Sequence, residues 1–176
     1  MRVFLPKAVF VGAELVFFSR KQARNITKNL CPTDIYTGGE LPRGTWTLEH
    51  VVPQSRMRSP AKNDLHNLGG LHTGTNSRRG NKAFGEPMQF KQFRGCNISP
   101  NLFSPAIGKG EVSRKCAYMF EQYGESIDIP SVIAHTTMLE WNYMFPPSDD
   151  EKRKNELIYE IQGTFNRFVD DSSIME

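Results

Sequence analysis

The alternation of apolar and polar positions divides the chain into three parts. Met1 to Lys28 opens as a short apolar extended segment followed by a helix beginning near Glu14. Cys31 to Gly44 is punctuated by Thr37-Gly38-Gly39 and Pro42-Arg43-Gly44, which favours hairpins over helix. Thr45 to Val52 reads Thr-Trp-Thr-Leu-Glu-His-Val-Val, rich in β-branched and aromatic residues, and Pro53 stops it, so a strand is predicted there. A polar loop from Gln54 to Asn63, a second short strand from Leu65 to Leu71, and a short helix from Thr75 to Lys82 capped by Thr73 or Thr75 follow. Glu86 to Gly110 reads as a loop pinned by its phenylalanines.

The period then becomes helical. Val112, Cys116, Met119, Phe120 and Tyr123 fall on one face of a helix from Glu111 to Tyr123 that Gly124 ends. A helix from Pro130 to about Tyr143 comes next. The last helix starts at the capping box Ser148-x-x-Glu151, places Leu157, Ile158 and Ile161 on one face and stops at Gly163. These expectations describe an α+β chain forming one domain over residues 1–176. A strand-loop-strand-helix unit lies at about 45–84, on a helical scaffold at about 111–170.

Composition narrows the function class. A chain of 176 residues with 38% hydrophobic residues can bury a core, and its net charge of only +3 says little. The distribution says more. Arg56, Arg58, Lys62, Arg78, Arg79, Lys82, Lys91 and Arg94 face only Asp64 and Glu86 between His50 and Gly95, whereas acids outnumber bases from Ser148 onward. Charge sorted in this way suits one face that meets a polyanion. Cys31, Cys96 and Cys116 are odd in number and widely spaced, so neither a disulfide framework nor a four-cysteine zinc site is expected. Lys7 and Glu14 interrupt the apolar lead and no clear cleavage site follows, so the expectation is intracellular, with secretion the alternative. No run reaches the ~18 apolar residues that span a bilayer, so no membrane partner is expected.

Chemistry concentrates in Glu49-His50-Val51-Val52-Pro53-Gln54-Ser55, Asp64-Leu65-His66-Asn67-Leu68 and Asn76-Ser77-Arg78-Arg79-Gly80-Asn81. Phosphodiester hydrolysis needs an activated water, a cation near the scissile phosphate, and a group that holds the phosphate. The neutral imidazole of His50 can be the general base. Glu49 and the side-chain oxygen of Asn76 are hard ligands suited to Mg²⁺, with Mn²⁺ or Ca²⁺ as alternatives. Neighbours on a regular strand point to opposite faces, so convergence of Glu49 and His50 requires a departure from regular pairing, which Pro53 makes plausible.

This pattern resembles the endonuclease I family of the His-Me finger (ββα-metal) nucleases. The resemblance continues through Lys109-Gly110-Glu111-Val112-Ser113-Arg114, Leu139-Glu140-Trp141, and Arg153-Lys154-Asn155-Glu156-Leu157-Ile158-Tyr159 on to Asp170. It implies a ββα-metal finger, His50 as base and Glu49 and Asn76 as metal ligands. It also implies cleavage of DNA, or RNA in addition, with little sequence preference, leaving 5′-phosphate and 3′-hydroxyl ends. Asn67 matches a position whose role is a brace across the loop. The family's phosphate-holding arginine does not carry over, because the interval from His50 to Asn76 is shorter here. Arg79, Arg78 and Arg56 are the candidates, in that order. His66 and His135 read as structural, and His72 stays open. The segment Cys31-Pro32-Thr33-Asp34-Ile35-Tyr36-Thr37-Gly38 resembles HNH nucleases of the same superfamily, which would narrow the activity to nicking or site-directed cleavage. A DNA-binding module with a degenerate finger is the non-catalytic alternative, and it would need none of Glu49, His50 and Asn76. A monomer is expected.

Overall fold

The computed structural model describes residues 16–58 and 61–175. Most of the apolar lead, and the expected helix start near Glu14, lie outside them. The first helix, α1 (Arg20–Leu30), begins where Ser19 and Gln22 cap each other reciprocally. Ala23 on α1 packs with Leu48, Leu65, Leu68 and Ile158 in a small core, against which Ile26, Leu30 and Trp46 also lie.

Strand β1 (Trp46–His50) pairs antiparallel with β2 (Leu68–His72), from Trp46↔His72 to His50↔Leu68. Both are shorter than the sequence predicts. Beyond His50 the partner of the chain is the Asn67 side chain, which accepts from Val52 N at 2.8 Å and donates to Val52 O at 3.1 Å. Leu65–Asn67, expected as strand, is a 3-10 turn because the Asp64 carboxylate accepts from His66 N at 2.9 Å. Helix α2 (Thr73–Arg79) follows β2 directly. Its cap is the His72 ring, which accepts from Gly74 N at 3.0 Å, rather than either threonine, and the chain leaves the helix at Gly80 with φ +54°.

The expected loop from Glu86 to Gly110 holds most of a second sheet. Strands β3 (Ala83–Phe84), β4 (Lys91–Phe93), β5 (Cys96–Ile98) and β6 (Leu102–Ser104) pair in the order β3-β6-β5-β4. Strands this short carry too few residues to show alternation. The β4–β5 turn is Arg94-Gly95, with φ +51° and +81°. The main core lies between this sheet and the helices and includes Tyr36, Phe84, Phe103, Val112, Cys116, Met119 and Trp141.

Helices α3 (Lys109–Tyr123), α4 (His135–Met144), α5 (Asp149–Gln162) and α6 (Arg167–Asp170) complete the α+β fold. Helix α4 starts later than expected, because Ile129–Ser131 forms a separate 3-10 turn and Ile133 bridges to Phe84. On α3 the predicted face is buried at Val112, Cys116 and Met119, but Phe120 is exposed. Ser148 caps α5 as predicted, and Gly163 with φ +80° closes it. Glu151 does not return the capping bond. Its carboxylate turns inward and takes a forked pair of bonds from Arg114 at 2.8 and 2.6 Å, and Ile161 on the same helix is exposed. Lys115 on α3 reaches the carbonyls of His66 and Leu68 at 3.0 and 3.3 Å, which fastens the scaffold to the start of β2. All three cysteines are buried free thiols. Among the described residues no helix is long and apolar enough to cross a membrane.

Candidate active site

Glu49 and His50 end β1, and Asn76 sits midway along α2. All three line one solvent-open cleft of about 160 Å³ together with Leu48, Pro53, Gln54, Arg79 and Gly80. The ladder stays regular through Glu49↔Gly69 and His50↔Leu68, so the expected departure comes one step later, where Asn67 receives Val51 N and clasps Val52. The two neighbours do diverge in their partners. Glu49 turns to Tyr36 and Arg79, His50 to the loop at Lys62, and both border the cleft at the strand's end.

Glu49 is 2% exposed. Its Oε1 accepts from Tyr36 Oη at 2.8 Å and lies 3.4 Å from Arg79 Nε. The His50 backbone N–H also favours the charged carboxylate, and among the described residues no side chain donates to Oε2. Burial raises the carboxyl pKa, with Arg79 and Tyr36 opposing the rise. The same burial, with Glu49 beside it, lifts Tyr36 well above the ordinary phenol value.

His50 Nε2 lies 3.0 Å from the Lys62 carbonyl. A carbonyl only accepts, so Nε2 carries the proton and Nδ1 keeps the lone pair. The Gln54 amide nitrogen stands 3.0 Å from Nε2 and 3.3 Å from Nδ1, and with Nε2 donating to Lys62 only the Nδ1 contact can be a hydrogen bond. Burial lowers the His50 pKa to about 4, leaving the ring neutral near pH 7. Asn76 Nδ2 donates to Leu48 O at 3.3 Å, so its amide oxygen is the unused end.

The three arginines have different surroundings. Arg79 is 1% exposed and gives its Nη groups to Val51 O at 2.6 Å and Gly80 O at 2.8 Å. Its guanidinium supports the cleft wall from inside. Arg78 is exposed, with its guanidinium over the Phe93 ring at 3.8 Å. Arg56 follows Gln54 on the Gln54–Arg56 turn, lies 3.9 Å from Asp128, and lines a cavity of about 280 Å³ with Ser55 and Arg58. His66 is enclosed, bonded to Thr164 O at 3.0 Å and tilted onto Tyr118, and His135 is exposed on α4.

The sequence places Tyr36 and Gln54 inside two of its motif segments without giving either a role, and it does not reveal the Lys62 carbonyl. A local signal existed for Tyr36: Asp34 accepts from Tyr36 N and Thr37 N at 2.9 and 3.0 Å, a turn that aspartate builds within its own segment. The loop then lies directly on β2. A Cβ at Gly70 would sit 2.5 Å from Cys31 O, and one at Gly69 would sit 2.6 Å from Ile35 Cδ1, so only glycine permits that approach.

Among the described residues no cluster of three His, Cys, Asp or Glu side chains could hold a metal. Glu49 Oε2 and Asn76 Oδ1 are instead two hard oxygens that take no side-chain hydrogen bond among the described residues, on residues that line one open cleft. That donor set fits a hard divalent cation that keeps waters in its remaining positions.

A family model described as Endonuclease I matches residues 15–173. The extracellular ribonuclease of Bacillus subtilis (strain 168) is 28% identical over 149 residues, covering 72% of this chain and 51% of the relative. The extracellular ribonuclease of Bacillus amyloliquefaciens is 28% identical over 148 residues, with the same shares. The chain spans about half the length of the curated relatives it matches.

Proposed function

The chain belongs to the endonuclease I family, and on that premise we propose that it is a metal-dependent endonuclease that hydrolyses phosphodiester bonds with little sequence preference. The substrate class is DNA, and the relatives' printed names bring RNA in beside it. The products carry 5′-phosphate and 3′-hydroxyl ends. In this reading β1, β2 and α2 are the ββα-metal finger, and His50 is the general base. Its neutral Nδ1 takes the proton of the attacking water once Gln54 yields to substrate. Glu49 and Asn76 hold Mg²⁺, with Mn²⁺ or Ca²⁺ as alternatives. When bound, the cation supplies charge stabilisation at the phosphate and the leaving oxygen.

Arg79 does not hold the phosphate in this scheme, because its Nη groups are spent on backbone carbonyls and its Nε faces Glu49; it aims the carboxylate. Arg56 takes the scissile phosphate. It stands two residues beyond Gln54 with its side chain 36% exposed, whereas Arg79 is enclosed. Asn67 holds the end of β1 so that His50 stays at the cleft. The extracellular location in both relatives' names favours secretion over the intracellular expectation, and detection of the protein in culture medium tests it.

The observation that carries the reading is the single cleft lined by His50, Glu49 and Asn76, with a carboxylate and an amide oxygen that take no side-chain hydrogen bond among the described residues. Its test is the digestion of supercoiled plasmid, single-stranded DNA and RNA with Mg²⁺, with Mn²⁺ and with EDTA. Cleavage that vanishes in EDTA is expected. Full cleavage in exhaustive chelator would remove the metal from the mechanism, and no cleavage of any substrate with either metal would remove the nuclease.

A further inference from the structure

Helix α2 has a second flank. Asn76 and Gly80 face the cleft, whereas Gly74 and Arg78, two positions away on the helix, face the β4–β5 hairpin. The hairpin abuts the helix closely: a Cβ at Gly74 would lie 3.2 Å from Phe93 Cζ. Phe93 carries the Arg78 guanidinium on its face at 3.8 Å, and Arg78 Nη1 donates to Gly74 O at 3.1 Å, so the side chain is held flat and ready. Half-buried Lys82 follows the helix and returns its Nζ to Arg78 O at 2.8 Å, and Lys91 and Arg94 are exposed on the hairpin. Among the described residues none of these four cations forms an ion pair, which they share with Lys152 on α5 and not with Lys109, Arg114, Arg153 and Arg167.

Arg94 adds an independent observation. Among the described residues it is the only non-glycine with positive φ, at +51°, in a turn whose geometry favours asparagine or glycine. A charged residue held in a strained turn marks a place where function outweighs local preference.

We infer that the α2 and β4–β5 face binds the phosphate backbone of the nucleic acid beyond the scissile bond, through Arg78, Lys82, Lys91 and Arg94. The inference rests on the nuclease reading and extends it from the cleft to the length of strand engaged. A helix with its side chains is about 10–12 Å across, and a duplex strand rises about 3.4 Å per step. The phosphates bound here therefore lie roughly three nucleotides from the cut. Substrates too short to cross α2 gain nothing from this face.

The test uses Arg78→Ala, Lys91→Ala and Arg94→Gly together. The last substitution removes the charge while suiting the backbone, so the turn survives. In the full chain carrying His50→Ala, binding of a long oligonucleotide is followed by anisotropy against salt concentration. The expected result is a salt slope reduced by about two to three, at roughly 0.7–0.9 for each of the three phosphates no longer neutralised, with thermal unfolding unchanged. In the chain with His50 intact, KM for long substrates should rise with kcat kept, while cleavage of a trinucleotide stays the same. An unchanged slope and unchanged KM for long substrates would overturn the inference. The binding arm needs no cleavage, so a chain that binds through this face but cuts nothing would instead overturn the nuclease reading.

Discussion

Two buried acid and histidine pairs, Asp64 with His66 and Glu49 with His50, sit within the same stretch of chain and differ in what their remaining lone pairs meet. Asp64 accepts four hydrogen bonds: His66 N at 2.9 Å and Gln162 Nε2 at 3.0 Å on one oxygen, Tyr123 Oη at 2.7 Å and Tyr118 Oη at 3.1 Å on the other. Glu49 has the Tyr36 hydroxyl and an arginine on one oxygen and an open cleft beside the other. His66 is sealed between Thr164 and Tyr118, whereas His50 borders the same cleft as Glu49. Burial lowers both histidines to about 4. A shifted pKa therefore does not separate the two regions. Satisfied acceptors mark a hub that holds the fold, and unsatisfied acceptors at a solvent-open cleft mark the place for a ligand.

The sharpest way to break this comparison is to truncate the two histidines. Under the proposed roles, His50→Ala costs on the order of 10²–10⁴ in cleavage rate and leaves the metal titration midpoint and the melting temperature nearly unchanged. If its metal midpoint moves as far as that of Asn76→Ala, His50 is a ligand and not the base. The acids should separate in the opposite sense. Asp64→Asn loses on the order of 3 kcal/mol of stability, because two tyrosines and a glutamine compete for one acceptor, and any residual folded enzyme keeps its metal dependence. Glu49→Gln leaves the buried Arg79 without its counter-charge and so also loses stability, but unlike Asp64→Asn it weakens metal binding, with partial recovery at high Mn²⁺. A Glu49→Gln chain with an unshifted midpoint would place the cation elsewhere.

Acid should act on the hub as well. The folded His66 pKa lies below the unfolded value of about 6.5, so the unfolded chain takes up the proton first as pH falls. Stability is complete above about 6.5 and is lost between there and about 4, by an amount on the order of 3 kcal/mol for this residue alone. Melting curves across that window check it. His50 is shifted alike, so His66→Asn should remove about half of the dependence, and an equally steep curve in that variant would assign it to other groups. The smallest expected effect is at Gly70→Ala, where displacement of the loop that carries Tyr36 costs about 1–3 kcal/mol and lowers activity through Glu49. A normal melting temperature there would mean that the loop yields freely.

The elements that could be read from the chain are those whose signal is local. The run ending at Pro53 marks β1, the Val112, Cys116 and Met119 face marks α3, and Ser148 and Gly163 mark the ends of α5. A cap or a helical face is decided within a turn or two of backbone, so sequence alone determines it. The second sheet was hidden because its strands span two or three residues, and Arg94 does not announce a turn of positive φ. The motif around Glu49, His50 and Asn76 was legible as residue types in an order, and it carried the family. Which of its atoms are free was not legible. Arg79 could be read as a phosphate clamp until β1 and Phe84 closed around it, and Asp64 and Gln162, 98 positions apart, could be recognised as partners only once α5 had packed against the turn. Whether a polar side chain is spent on the protein or left for a ligand depends on contacts between distant segments, and those exist only after tertiary folding has brought them together.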